Sequence, residues 1–141
     1  MPVCFPLRDD GGGSITGPGE RGVTPHHPAS GPRLSPEQTE GPYHIDLDEV
    51  RGDITEDREG APLRLRIEVL DADLCAPLQD AAVEVWHADA AGAYSGVGSF
   101  AGETFLRGTR MTGADGVAEF RTIYPGWYPG RAVHVHGVRR A

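Results

Sequence analysis

Apolar and charged side chains begin to alternate at Leu63, and that rhythm organises the rest of the chain. Leu63, Leu65, Ile67 and Val69 take turns with Arg64, Arg66 and Glu68. A period of two places one face of a strand on a core and the other in water. Residues 81–86 predict a second strand, 104–112 a less regular third, and 117–123 a fourth. In the fourth, Ala118, Phe120 and Thr122 alternate with Glu119 and Arg121. A short last strand is expected over 132–138. Between them lie residues that punctuate: Asp, Cys and Pro over 71–78, Asp89-Ala90-Ala91-Gly92, Ala114-Asp115-Gly116, Pro125-Gly126 and Pro129-Gly130. Short strands divided by such turns predict an all-β fold, an antiparallel β-sandwich with long Gly/Pro-rich loops. No internal repeat is visible.

The first 36 residues break the rhythm. They hold 7 Gly and 7 Pro with no apolar periodicity, too little to offset the entropy of ordering them. A disordered leader is expected over 1–33, with His26 and His27 solvated, and one folded domain over 34–141. A length of 141 residues suits a single core.

Charge narrows the function. The net charge is −8 and every one of the 13 basic residues is Arg. An acidic surface repels phosphate backbones, so no nucleic-acid partner is expected. Without lysine, Schiff-base and P-loop lysine chemistry is excluded. No apolar run approaches the ~20 residues that span a bilayer, so no membrane partner is expected. No signal peptide is visible at the N-terminus, which makes the cytoplasm the default location. Cys4 and Cys75 have no framework spacing and read as two free thiols.

Two patterns carry chemistry. In His134-Val135-His136, residues i and i+2 of a strand share a face, so both imidazoles can reach one ion while Val133 and Val135 face the core. Alone, the pattern is weak, and no Cys or carboxylate at a recognisable spacing supports zinc. The tyrosines add to it. Of Tyr43, Tyr94, Tyr124 and Tyr128, the second and fourth follow glycine-containing turns and can point into a cleft at strand ends. A phenol with an ordinary pKa of about 10 ligates at neutral pH only to a strongly acidic metal. Phenolate oxygen with imidazole favours Fe(III).

Several segments then resemble the intradiol ring-cleavage dioxygenases. They are Gln38-Thr39-Glu40-Gly41-Pro42-Tyr43, Val85-Trp86-His87-Ala88-Asp89, Gly92-Ala93-Tyr94-Ser95, Thr122-Ile123-Tyr124-Pro125-Gly126-Trp127-Tyr128 and Arg131-Ala132-Val133-His134-Val135-His136. The resemblance runs over about 34–136 with the motifs in order. It implies one ferric ion per chain, Fe(III), held by Tyr94, Tyr128, His134 and His136. Tyr128 is implied to leave the iron when substrate binds and to accept the substrate's proton. Arg131 is implied to stabilise charge on the substrate, and Thr39, Gly41, Pro42 and Tyr43 to line its pocket. Tyr124 falls at a non-ligand position and His87 at a structural one. The implied partners are a catechol-type small molecule and O2, joined into a cis,cis-muconate-type product.

The resemblance also sets an expectation for the end of the chain. Relatives continue past the second histidine, whereas Gly137-Val138-Arg139-Arg140-Ala141 closes this sequence. A glycine followed by two arginines does not read as a continuing core strand. The family domain is therefore expected to be incomplete at its C-terminus. The histidine strand is expected to lack sheet neighbours and to fray. Two other readings stand beside the active enzyme: a catalytically inactive truncated member, and a metal-free β-sandwich binding module.

Overall fold

The computed structural model describes residues 3–5, 33–35 and 37–140. Seven strands follow in order: β1 Val3–Phe5, β2 Arg33–Ser35, β3 Pro62–Glu68, β4 Ala82–Trp86, β5 Arg107–Met111, β6 Val117–Ile123 and β7 His136–Arg140. A single helical turn, Gly98–Phe100, lies between β4 and β5. All strand pairs are antiparallel: β1 with β2, β3 with β6, and β4 with both β5 and β7. The all-β antiparallel expectation holds. Val3–Phe5 is a strand inside the stretch expected to be a disordered leader, while His26 and His27 fall outside the described residues.

The alternation read from sequence explains the layering. Leu65 and Ile67 of β3 and Ala118 and Phe120 of β6 turn inward to Val83 and Val85 of β4, with Ile54, Val69 and Ala81 closing the same core. The arginines between them stay out, Arg64 and Arg66 each 3.4 Å from Glu119 on the neighbouring strand. Two sheets thus face one another across one apolar layer, the arrangement of a sandwich. Residues 49–54 run along the sheet edges, joined to β5 through Arg51 N–H and Thr109 C=O and to β6 through Ile54 N–H and Arg121 C=O.

Three features depart furthest from the sequence expectation. β5 starts at Arg107 rather than 104, because Leu106 adopts a positive φ of 57° and ends a turn. Burial and backbone bonds hold it there: its amide donates to Ile54 and its carbonyl accepts from His87. β7 begins at His136, so His134 precedes the strand and Val133 is 42% exposed rather than facing the core. Only Val135 packs inward.

The third difference overturns the expectation of a frayed end. Residues 136–140 form a full strand against β4, from His136 opposite Trp86 to Arg140 opposite Ala82. Arg140 anchors it with ion pairs to Asp46, Asp48 and the buried Glu84. His44 approaches the same Glu84 carboxylate at 3.3 Å. Two arginines after a glycine look wrong for a core strand only if their partners are ignored. Here acidic residues from another part of the chain meet one of them.

Candidate metal centre

β4 turns Val83 and Val85 to the core, and Glu84 and Trp86 to the opposite side. There Trp86 lies flat beneath the His136 ring, at a centroid distance of 5.0 Å and an interplanar angle of 2°. After β4 the chain enters the Asp89 turn and delivers Tyr94, which is buried against Trp86 and Ala88. After β6 it runs through Pro125-Gly126 to Tyr128, then turns back so that the Arg131 amide donates to the Tyr128 carbonyl. His134 follows. Four donor groups from three loops and one strand start thereby meet.

Their spacings are short. Tyr94 Oη lies 3.1 Å from Tyr128 Oη and 3.4 Å from His134 Nε2. Tyr128 Oη is 3.0 Å from His134 Nε2, which is 3.0 Å from His136 Nε2. Donors about 2.0–2.2 Å from one ion and at right angles to each other lie roughly 3 Å apart, so these separations fit ligands around a common centre. The tautomer agrees. His134 Nδ1 is 2.5 Å from the Ala132 carbonyl, to which it must donate, leaving the Nε2 lone pair directed at the other donors. Among the described residues no three His, Cys, Asp or Glu group around a point, so a zinc site of the usual ligands finds no support.

Burial dominates the electrostatics of both kinds of donor. Burial pushes the Tyr94 phenol well above its ordinary range, helped by its bond to Tyr128 and by the nearby Tyr128 and Tyr43 phenols, with Arg107 opposing. Left alone, Tyr94 stays protonated, and only a highly charged ion at that point would draw the proton off. His136 is lowered to about 4, first by burial and then by the charges of His134, Arg131 and Arg107. It is therefore neutral and able to ligate at pH 7.

The other expected residues divide. Tyr43 stacks on Tyr94, centroids 4.5 Å apart, and meets Tyr128 edge-on. Gly41 brings its backbone to the His136 ring, where an added Cβ would lie 3.6 Å from Cε1. Thr39 and Pro42 are exposed, the Thr39 hydroxyl accepting from the Gly41 amide. Arg131 is exposed beside the site. Tyr124 is exposed and outside the cluster. His87 is buried with both nitrogens occupied, donating from Nδ1 to Ala88 and accepting at Nε2 from the Thr122 hydroxyl. It is structural, as expected. A cavity of about 240 Å³ opens beside Tyr43 and Tyr94, walled also by Val97 and Phe100. A larger cleft of about 330 Å³ around Asp57, Arg58 and Asp89 is polar and holds none of the four donors.

Sequence reasoning missed the support around the donors. Trp86 was visible only as part of a motif, yet it is the platform for His136. Arg107 was not singled out. It is buried, with Nε donating to Ser95 Oγ and Nη2 to the Ser95 carbonyl, which fixes the residue after Tyr94. An arginine amid an apolar segment was the available signal, and nothing local said what it would bind.

A family model described as "Dioxygenase" matches residues 31–140, and the chain belongs to the intradiol ring-cleavage dioxygenase family. It is 36% identical to catechol 1,2-dioxygenase 1 of Acinetobacter lwoffii over 101 residues, 67% of this chain and 32% of that protein. An intradiol ring-cleavage dioxygenase from Tetranychus urticae superposes with a TM-score of 0.73 at 39% identity, covering 77% of this chain and 59% of that one. The 3-chlorocatechol 1,2-dioxygenase from Rhodococcus opacus 1CP gives 0.66 at 29% identity, covering 76% and 51%. This chain thus spans about a third of the curated relative and under two thirds of these solved structures.

Proposed function

We propose that this chain carries out Fe(III)-dependent intradiol cleavage of a catechol-type aromatic by O2, giving a cis,cis-muconate-type product. The observation that carries the reading is the convergence of Tyr94, Tyr128, His134 and His136 within 3.0–3.4 Å contacts. Those four would hold one ferric ion per chain. When bound, Fe(III) supplies a Lewis acid that ionises the phenols and activates a catecholate toward O2. Catechol and O2 together contain every atom of the dicarboxylate product, so no external reductant is required.

The protein's own groups have distinct tasks. His134 is held by its bond to Ala132, and His136 by the Trp86 platform and the β4–β7 ladder. Tyr128, half-buried where Tyr94 is buried, would be the phenol placed to take a proton from a substrate hydroxyl. Arg131, a permanent cation at the rim, would stabilise negative charge developing on the substrate. Thr39, Pro42 and Tyr43 would line the approach, with Tyr43 offering an aromatic wall against Tyr94. The anchored β7 supports this reading over an inactive or metal-free one, since the strand that begins at His136 pairs with β4 along its length and is tied at its far end to Asp46 through Arg140.

Purified protein is expected to be wine-red from tyrosinate-to-Fe(III) charge transfer, to contain about one iron per chain by the four-donor count, and to consume O2 with catechol. Protein that remains colourless with added ferric iron sinks the proposal.

A further inference from the structure

The two phenols belong to loops 34 residues apart, and a single turn fastens those loops to each other. Asp89 is 8% exposed, and its Oδ1 accepts from the amides of Ala91 and Ala93, closing the turn that delivers Tyr94. Its carbonyl accepts from Gly92 within the turn and from Gly126 of the other loop. The two loops approach so closely that neither glycine admits a side chain. A Cβ on Gly126 would fall 2.2 Å from the Ala90 carbonyl oxygen, and one on Gly92 2.5 Å from that of Trp127. Gly92 also has φ +84°, a conformation that L side chains rarely adopt. Two residues after each glycine comes a phenol.

We propose that Asp89 is a positioning residue for the metal centre. Its carboxylate shapes the turn into which Gly126 docks, and this interlock sets the 3.1 Å separation of the Tyr94 and Tyr128 oxygens. The inference rests on the four-donor reading above. The role belongs to the acceptor oxygen rather than to charge, because the ionic contact of Asp89 is long: Arg58 Nη1 lies 3.7 Å from Oδ2 and is partly exposed. Loss of the acceptor lets the turn relax and moves one phenol relative to the other. Removal of a group that orients a ligand typically weakens metal binding about 10–100-fold.

The test compares Asp89→Ala, Asp89→Asn and Gly126→Ala by ferric titration and by the tyrosinate charge-transfer band, with thermal unfolding as the check on folding. Asp89→Ala is expected to bind ferric ion about 10–100-fold more weakly and to shift or lose the band while still unfolding cooperatively. Asp89→Asn keeps the acceptor and is expected to restore both readouts. Gly126→Ala is expected to perturb the band as Asp89→Ala does, and it decides the matter if Asp89→Ala does not fold. Wild-type affinity and an unshifted band in either alanine variant overturn the proposal, as does an Asp89→Asn protein as impaired as Asp89→Ala. Wild-type protein that takes up no ferric ion overturns the four-donor reading and this one with it, so the two failures are distinguishable.

Discussion

Residues of one type play unlike parts here because of what surrounds them. Tyr94 is buried amid other phenols, whereas Tyr124, thirty positions on, is 58% exposed and outside the cluster. Tyr94→Phe should therefore bleach or shift the ferric charge-transfer band, and Tyr124→Phe should leave it in place. Equal effects in the absorption spectra would refute the donor assignment. His87 differs from His134 in the same way. Its burial lowers its pKa below the ordinary 6.5, with the Ala88 hydrogen bond and Asp89 opposing. The unfolded chain then binds a proton that the folded one refuses. Stability from this residue is complete above pH 6.5 and is lost as pH falls toward the lowered value. Urea unfolding of wild type should show stability falling as the pH drops below 6.5, with a shallower fall in His87→Gln. Parallel profiles would rule out this contribution. That Tyr94, Tyr128, His134 and His136 belong together was legible in the sequence because phenols and imidazoles are scarce and their chemistry is specific. Their supports, Trp86, Arg107 and Asp89, were not, since an indole, a guanidinium or a carboxylate has many ordinary uses.

Among the strands, β7 carries the lesson about edges. Its side chains looked unfit for a core, yet its backbone pairs along all five residues with β4. Arg140 ties its far end to Asp46, Asp48 and Glu84. Arg140→Ala should cost about 1–3 kcal/mol, because the buried Glu84 carboxylate loses its guanidinium partner 3.2 Å away. Faster hydrogen exchange of the β7 amides and weaker ferric binding are expected together. Unchanged exchange would detach the strand's order from Arg140. Strand interiors were well read from sequence: β6 falls on residues 117–123 as expected and β4 differs by one residue. The starts of β5 and β7 were misplaced. In each case long-range bonds decided where the ladder begins, and a period of two contains no information about them.

For the molecule as a whole, the cluster of Tyr94, Tyr128, His134 and His136 lies beside the sandwich core, on the far face of β4 from Val83 and Val85. Phe120 is fully buried between the sheets, and Phe120→Ala should destabilise the fold by about 3–5 kcal/mol, measured as a lower denaturant midpoint. Stripping iron with a chelator should lower Tm, because a ligand bound only to the folded state stabilises it by mass action, about 2.7 kcal/mol at a hundredfold excess over Kd. A Tm indifferent to chelation would show that the folded state binds no ferric ion.

By itself the sequence determined which faces of the strands turn inward and which chemistry was possible. Alternation is a local property of each strand, and a phenol or an imidazole brings its donor atom wherever it goes. Only the tertiary structure decided that Tyr94 and His134, 40 residues apart, come within 3.4 Å, that His134 precedes the strand rather than sharing it with His136, and that the chain's last described residues are held in the sheet. Those outcomes rest on backbone approaches at Gly92 and Gly126 and on acidic partners for Arg140. Such contacts form between segments far apart along the chain, so they come into being only when the sheets pack.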